Sequence, residues 1–303
     1  RLWMDISQLY KRANELIPGG TMTNSKMSSR YPECYPQYIT NGEGPFVLDL
    51  QHKRYTDYIS GLGAIILGYR HWKFPDINLS SFPHPKEVEL ASILNSIIPS
   101  AQMVKFFKTG SESCSAAIKV ARAYTGRDKI ITCGYHGWHD WYVAQTEKGS
   151  GIPKVYQKLV SKVPYNDLQA LSNKIQFGDA AALIIEPVIY DPPHKDYLQS
   201  IIDECHKFGT IVIFDEMVTG FRFPGFSAQN YFNVLPDLSC FGKALGNGYP
   251  IAVLCGKETI MKTMNREDFF CSGTYNSELV GIAASLITLK EFMLNDVIGD
   301  IWK

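Results

Sequence analysis

The sequence has few of the features that mark secreted, membrane or nucleic-acid-binding proteins. Its seven cysteines are scattered, odd in number and without a CxxC pair, which argues against a disulfide framework. Thirty basic residues balance thirty acidic ones with no dense basic run, so the chain lacks the positive field that polyanions require. No apolar run approaches the roughly 20 residues of a membrane helix, and the first residues hold no signal-peptide core. We therefore expect a cytoplasmic protein with no nucleic-acid or membrane partner.

An alternation of helical and strand-like segments runs through most of the 303 residues. The strands are continuous apolar runs, such as Ile211-Val212-Ile213-Phe214, which is typical of a mainly parallel sheet covered by helices on both faces. We predict a three-layer α/β fold at 61–303, preceded at 1–60 by a segment of helix, loop and hairpin. The predicted strands are 46–50, 55–59, 103–107, 129–133, 181–185, 210–215 and 238–241. The predicted helices are 86–98, 114–124, 168–175, 197–208 and 278–294.

A glycine and hydroxyl-rich stretch, Thr109-Gly110-Ser111, leads from a predicted strand into a predicted helix. Ligands of such sheets lie beyond the carboxyl ends of the strands, and a helix N-terminus attracts anions. The stretch therefore favours a phosphate site, which we call the phosphate cup. The same residues also suit an ordinary helix N-cap.

The next predicted strand, 129–133, is followed by Gly134-Tyr135-His136-Gly137-Trp138-His139-Asp140. Tyr135 is suited to stacking on a flat cofactor ring. A metal site at His136 and His139 is the rival interpretation, but no third ligand stands at a suitable spacing, so we expect no metal. Aromatic packing alone is the structural alternative.

An acid and a lysine follow two later strands. Asp215 ends the strand 210–215, and Lys243 follows 238–241 between glycines. This pair suits pyridoxal 5'-phosphate (PLP), in which lysine holds the aldehyde as a Schiff base and aspartate keeps the pyridinium nitrogen protonated. Separately, each has a plain alternative: a salt bridge from Asp215 or Glu216 to Arg222, and a solvated surface lysine.

Together these elements resemble the fold-type I, class III PLP-dependent aminotransferases, in the branch that includes glutamate-1-semialdehyde aminomutase. The resemblance begins at Ile17-Pro18-Gly19-Gly20 and extends to the last residue. It implies a role for each matching residue: phosphate binding by Gly110 and Ser111, ring stacking by Tyr135, ring-nitrogen pairing by Asp215, packing by Met217, the Schiff base at Lys243 and a place near the cofactor for Glu186. It also implies a homodimer in which Thr274 reaches the phosphate of the partner subunit. A helix N-cap before Glu278 is the alternative for Thr274.

The sequence departs from the family pattern in several places, one of them a helix of the relatives that is expected to be missing between Asp76 and Ser81. Val218 stands where many relatives have a glutamine that reaches the phenolic oxygen of the ring. The loop at 21–30 differs in length from the aminomutase pattern, and Ser25, Lys26 or Arg30 are the candidates for binding a substrate carboxylate. The small C-terminal domain of the family is expected to be absent from this chain.

The favoured function is an aminotransferase that moves an amino group from an amine donor to a ketone or aldehyde acceptor in ping-pong half-reactions. An aminomutase of the glutamate-1-semialdehyde type, which moves nitrogen within one molecule, is the alternative. A noncatalytic relative acting as a binding module is disfavoured because both the lysine and the aspartate are present. The donor and acceptor are not readable from the residues.

Overall fold

The computed structural model describes residues 5–16, 28–71 and 85–303. These residues divide into two compact units, 5–60 with 67–71 and 61–66 with 85–303. The strands are β1 (Ile39–Glu43), β2 (Phe46–Asp49), β3 (Arg54–Thr56), β4 (Met103–Phe107), β5 (Lys129–Cys133), β6 (Val160–Lys162), β7 (Ala180–Ile185), β8 (Ile211–Asp215), β9 (Leu238–Phe241) and β10 (Ala252–Gly256). None of the helices described is long and apolar enough to cross a membrane.

The helices include short single turns as well as long helices. The α-helices are α1 (Ile6–Leu16), α2 (Ser60–Gly63), α3 (Pro85–Ile97), α4 (Gly110–Thr125), α5 (Asp140–Val143), α6 (Leu168–Ile175), α7 (Tyr197–Lys207), α8 (Ala228–Tyr231), α9 (Glu258–Met261), α10 (Leu279–Leu294) and α11 (Val297–Ile301). The 3-10 turns are Ser28–Arg30, Lys154–Lys158, Pro224–Phe226, Lys243–Gly246 and Lys262–Asn265. Among the α-helices, α2 is irregular, because Gly61 and Leu62 have left-handed backbone angles.

The first unit contains the predicted hairpin. Strands β2 and β3 pair antiparallel, with Phe46 opposite Thr56, and β1 adds a third strand on the other side of β2. Asp49 fixes the polar turn between them, because its Oδ1 accepts the N–H groups of Gln51 and Lys53 at 2.8 and 2.9 Å. The strand β1 was not predicted.

The second unit is built on a seven-stranded sheet with the order β4-β10-β9-β8-β7-β5-β6. Neighbours from β9 to β6 pair in parallel, and β10 runs antiparallel to both β4 and β9. Because β10 is the one reversed strand among these seven, the carboxyl ends of the other six lie at the same edge. That edge collects the candidate site residues.

Alternate residues of each strand face opposite layers of helix. Ile184 and Ile213 pack with α4 on one face, whereas Leu183 and Val212 pack with α6 and α7 on the other. Val253 belongs to the cluster of α3 and α10, on the side away from α4. Helices therefore cover both faces, and the predicted three-layer α/β fold with a mainly parallel sheet is confirmed.

Predicted and observed elements agree closely where the hydrophobic pattern is long. The strands 103–107, 129–133 and 238–241 and the helix 168–175 have the predicted bounds, and α4 begins four residues earlier than expected, at Gly110. The strands β6 and β10 were missed. They are short apolar stretches that pattern alone does not separate from packed loops.

Candidate active site

The phosphate cup is the N-terminus of α4. Thr109 is the N-cap, and its side chain and that of Glu112 form a reciprocal capping box: Glu112 Oε2 accepts the Thr109 N–H at 2.8 Å. The N-cap alternative is therefore correct for Thr109. The cap does not use the N–H groups of Gly110 and Ser111. These two groups form no hydrogen bond within the described residues and belong to the open first turn of the helix.

A second loop closes over this helix start. The Trp138 N–H donates to Ser111 Oγ at 3.3 Å, so the loop after β5 lies against the cup. Gly137, with φ +94°, has no room for a side chain, because an added Cβ would lie 2.9 Å from Ser111 Cβ and closer still to its hydroxyl. The glycine thus lets the two loops approach.

Asp215 ends β8 and is held by three donors. Its Oδ2 lies 2.8 Å from His136 Nδ1 and 3.5 Å from Cys114 Sγ, and its Oδ1 accepts the Met217 N–H at 3.2 Å. Sequence reasoning considered His136 as a metal ligand and gave Cys114 no role. The signal for His136 was its place directly after Tyr135, beyond a strand that shares this sheet edge with β8.

Lys243 follows β9 and begins a 3-10 turn. Its backbone has φ +45°, a conformation that a residue with a side chain adopts at a cost. Burial lowers the pKa of its amine; the Asp215 carboxylate opposes this shift, and the Arg222 guanidinium adds to it. Within the described residues the amine makes no hydrogen bond or ion pair, so the surface-lysine alternative is wrong: this is a half-buried, unengaged amine beside an acid.

Glu186 and Tyr135 complete the edge between β7 and β5. Glu186 Oε2 accepts the Tyr135 N–H at 2.7 Å, and burial raises the pKa of the Glu186 carboxyl. The Tyr135 ring is 63% exposed and lies edge-on to Tyr142, with ring centroids 5.8 Å apart. Its outer face is therefore free to stack.

Met217 bridges the cup and the lysine. Its Sδ lies 2.8 Å from the position a Cβ would take at either Gly110 or Gly242. The side chain is buried at the base of the edge. A side chain at Gly110 or at Gly242 would collide with Met217. Because both residues are glycines, the start of α4 and the 3-10 turn that begins at Lys243 can both contact the Met217 side chain.

Arg222 has no acidic partner in the part of the chain that the structure describes. Its guanidinium donates to the carbonyl of Val218 at 3.1 Å and to that of Gly63. Glu216 is instead buried among donors from Thr219, Ala228 and Gln229. The proposed salt bridge of Asp215 or Glu216 with Arg222 is thus wrong.

Thr274 is exposed and lies four residues before Glu278. Glu278 is itself the N-cap of α10, so Thr274 is not. Glu278 also forms an ion pair with Lys108 at 2.9 Å, which fastens this segment next to the cup.

Ser25 and Lys26 lie outside the described residues, and Arg30 is an exposed residue of the first unit. His139 bonds to Ser115 Oγ at 2.6 Å, away from His136. Within the described ranges, no three His, Cys, Asp or Glu residues are grouped to hold a metal ion.

The residues present fit PLP. A buried acid, Asp215, keeps one oxygen with a single backbone donor; an amine, Lys243, is unengaged; and a helix start offers free N–H groups to a phosphate. The glycines at 110 and 137 leave a cradle that side chains would fill. Each part of the cofactor thus has a complementary group at the same sheet edge.

Comparisons with known proteins agree with this site. The family model for class-III aminotransferases matches residues 27–301. A 3-aminobutyryl-CoA aminotransferase of Cloacimonas acidaminovorans (strain Evry) is 36% identical, covering 97% of this chain and 74% of the relative. A glutamate-1-semialdehyde 2,1-aminomutase of Methanothrix thermoacetophila is 34% identical, covering 93% and 70%. The structure of the FumI protein of Sphingopyxis sp. MTA144 with PLP superimposes with a TM-score of 0.87 at 27% identity, covering 95% of this chain and 73% of its own.

Proposed function

The chain belongs to the class-III aminotransferase family, a family of PLP-dependent enzymes, and from that premise we propose that the cluster around Lys243 and Asp215 transfers an amino group between small molecules. The main support for the proposal is that a buried acid and an unengaged amine follow the ends of two neighbouring strands, β8 and β9. When bound, PLP supplies an electron sink for the substrate carbon that loses its proton.

Lys243 has two tasks in this proposal. Its amine would hold the cofactor aldehyde between turnovers, and its Nζ would take up the proton that the substrate carbon loses and later release it. Both tasks need a neutral amine at moderate pH, and the lowered pKa of Lys243 supports this. Asp215 would pair with the ring nitrogen through Oδ1, which also accepts the Met217 N–H.

The remaining residues orient the cofactor. The N–H groups of Gly110 and Ser111 and the positive end of α4 would bind the phosphate. Tyr135 would stack on one ring face and Met217 would pack against the other, with Glu186 holding the Tyr135 backbone. The substrate roles of Ser25 and Arg30 stay predictions.

Borohydride trapping tests the site directly. Reduction of the PLP-loaded protein, followed by peptide mass spectrometry, should locate a phosphopyridoxyl group on Lys243. Lys243→Ala should lose both the label and the amino transfer. Lys257→Ala is the matched control, because Lys257 pairs with Asp237 at the opposite sheet edge and should leave both intact. A label on another lysine, or none, contradicts the proposal.

A second candidate reaction is the intramolecular transfer of an amino group, which is suggested by the relatives named as aminomutases. The two reactions differ in their need for a separate amino donor. An aminotransferase consumes one donor for each acceptor converted, whereas an aminomutase converts a single substrate without net donor consumption. Stoichiometry with a panel of amines and aldehydes distinguishes them.

We also propose a homodimer in which Thr274 reaches the partner's phosphate cup. Thr274 is exposed and flanked by the exposed rings of Phe270 and Tyr275, an arrangement that suits a subunit contact. Mixing Lys243→Ala protomers with Thr274→Ala protomers tests this. If Thr274 acts across the interface, hybrids regain one intact site, and activity returns. If mixing restores nothing, Thr274 does not act in trans.

We also propose a cytoplasmic location, because the cysteines of the chain are free thiols. All seven cysteines are free, and five are buried, as expected in a reducing compartment. Cell fractionation should recover the protein with cytosolic markers, and recovery with membranes or medium would contradict this.

A further inference from the structure

We propose that Cys114 is a positioning residue for Asp215: its thiol donates to Oδ2 and, with His136, keeps Oδ1 charged and directed to the cofactor. The inference rests on the proposed role of Asp215. It concerns a residue that the family motif in the sequence did not single out.

The geometry puts the thiol in the right place. Cys114 lies one turn beyond Gly110 in α4, about 6 Å farther along the helix axis. Its Sγ is 3.5 Å from Asp215 Oδ2, within reach of a sulfur hydrogen bond, and Cys114 is only 1% exposed. One helix therefore offers its first N–H groups to the phosphate and a side chain to the acid that pairs with the ring.

The thiol is held in its protonated, donating form. The neighbouring Cys240 thiol and burial raise the pKa of Cys114 well above its usual value, and the negative charge of Asp215 adds to the increase. A carboxylate oxygen accepts a hydrogen bond better than a thiol sulfur does. The Cys114 thiol therefore donates to Asp215 and not to Cys240.

The distribution of donors on Asp215 is uneven. Oδ2 receives both His136 and Cys114, whereas Oδ1 receives one backbone N–H from Met217. Two donors on one oxygen fix the rotation of the carboxylate and stabilise its charge. The less engaged oxygen, Oδ1, is the one left to pair with a ring nitrogen.

Three variants separate the hydrogen bond from packing. Cys114→Ala removes the donor, and Cys114→Ser restores a donor of similar size. Cys205→Ala deletes an equally buried thiol from the separate cluster around α7. PLP affinity of each apoprotein is measured by fluorescence titration at neutral pH, so the readout is cofactor binding and not turnover.

Cys114→Ala removes one of the two donors on Asp215 Oδ2, so the carboxylate is held less firmly and PLP affinity should fall about three- to tenfold. Cys114→Ser should restore the affinity, and Cys205→Ala should not change it. Equal effects of the two alanine variants, or failure of serine to rescue, overturn the inference.

A second measurement does not depend on the stability of the alanine variant. The Raman S–H band that disappears in Cys114→Ser should lie at the hydrogen-bonded, low-frequency end of the thiol bands in the wild-type apoprotein. A band at the free-thiol position overturns the inference. Absence of the Lys243 label in the wild type would instead overturn the proposed function, so the two failures are distinguishable.

Discussion

His136 and Asp215 form a fully buried pair, with Nδ1 and Oδ2 2.8 Å apart and side chains 0% and 2% exposed. The other imidazole nitrogen, Nε2, is buried without a partner in the described part of the chain. A carboxylate oxygen accepts hydrogen bonds, so Nδ1–H is the donor of the pair. This buried bond fixes the orientation of the Asp215 carboxylate.

Replacement of His136 by phenylalanine should weaken PLP binding. The change keeps an aromatic ring but removes a donor to a charged carboxylate, a bond worth about 1.5 to 3 kcal/mol, so the dissociation constant should rise about 10- to 100-fold. Fluorescence titration of the apoprotein measures this. His206→Phe is the control, because His206 bonds Asp237 at 2.9 Å away from the site and should leave affinity unchanged. Similar losses in both variants would refute the assignment.

Gly137→Ala should damage the phosphate cup specifically. The added Cβ meets Ser111, whereas Gly151→Ala places a Cβ in open space at a comparable φ of +84°. Both variants should lose about 1 kcal/mol of stability from backbone strain. Only Gly137→Ala should reduce affinity for PLP and for inorganic phosphate, as measured by calorimetry. Unchanged phosphate affinity in that variant would show that the cup lies elsewhere.

Thr109→Ala should destabilise the second unit without removing the phosphate-binding N–H groups. Loss of an N-cap side chain costs about 1 kcal/mol, and the capping box with Glu112 is lost with it. Urea unfolding of the apoprotein measures the change. Thr109→Ser keeps the cap and should stay close to wild type; an equally large loss for serine would point to the methyl group and not to the cap.

Lys243→Met should change how stability depends on pH. The folded-state pKa of Lys243 lies below its ordinary value of 10.5, so between these two values the unfolded chain binds more protons than the native one. The free energy of unfolding therefore rises with pH across that window. The variant lacks this rise, so its advantage over wild-type apoprotein should be greatest on the low-pH side and vanish towards 10.5.

Lys207→Met is the control for that experiment, because the ion pair with Glu204 raises the pKa of this exposed lysine. Its removal should give no gain at low pH. Denaturant titrations of both variants at a series of pH values provide the comparison. A gain for Lys243→Met that does not change with pH would show that packing, and not the amine, is responsible.

The sequence was most informative where a reactive side chain follows a long apolar strand. Asp215 and Lys243 were located because parallel strands bring their carboxyl ends to one edge, a rule that needs no knowledge of strand order, whereas Glu186 came from the family resemblance. The contacts between them were not predictable in the same way. His136 and Cys114 meet Asp215 across 79 and 101 residues of chain, and no local pattern encodes such a meeting. The reversed strand β10 was missed for a similar reason: its place between β4 and β9 is set by pairing and not by its own five residues.

The positive φ of Lys243 sets backbone strain against chemistry at a single residue. Glycine would adopt this backbone without the roughly 1 kcal/mol that a Cβ costs, so exchange of the lysine for glycine would silence the chemistry and relieve the fold in one step. The backbone at position 243 therefore favours glycine, and only the chemistry of the amine favours lysine. Active-site chemistry and fold stability make opposite demands on this one residue.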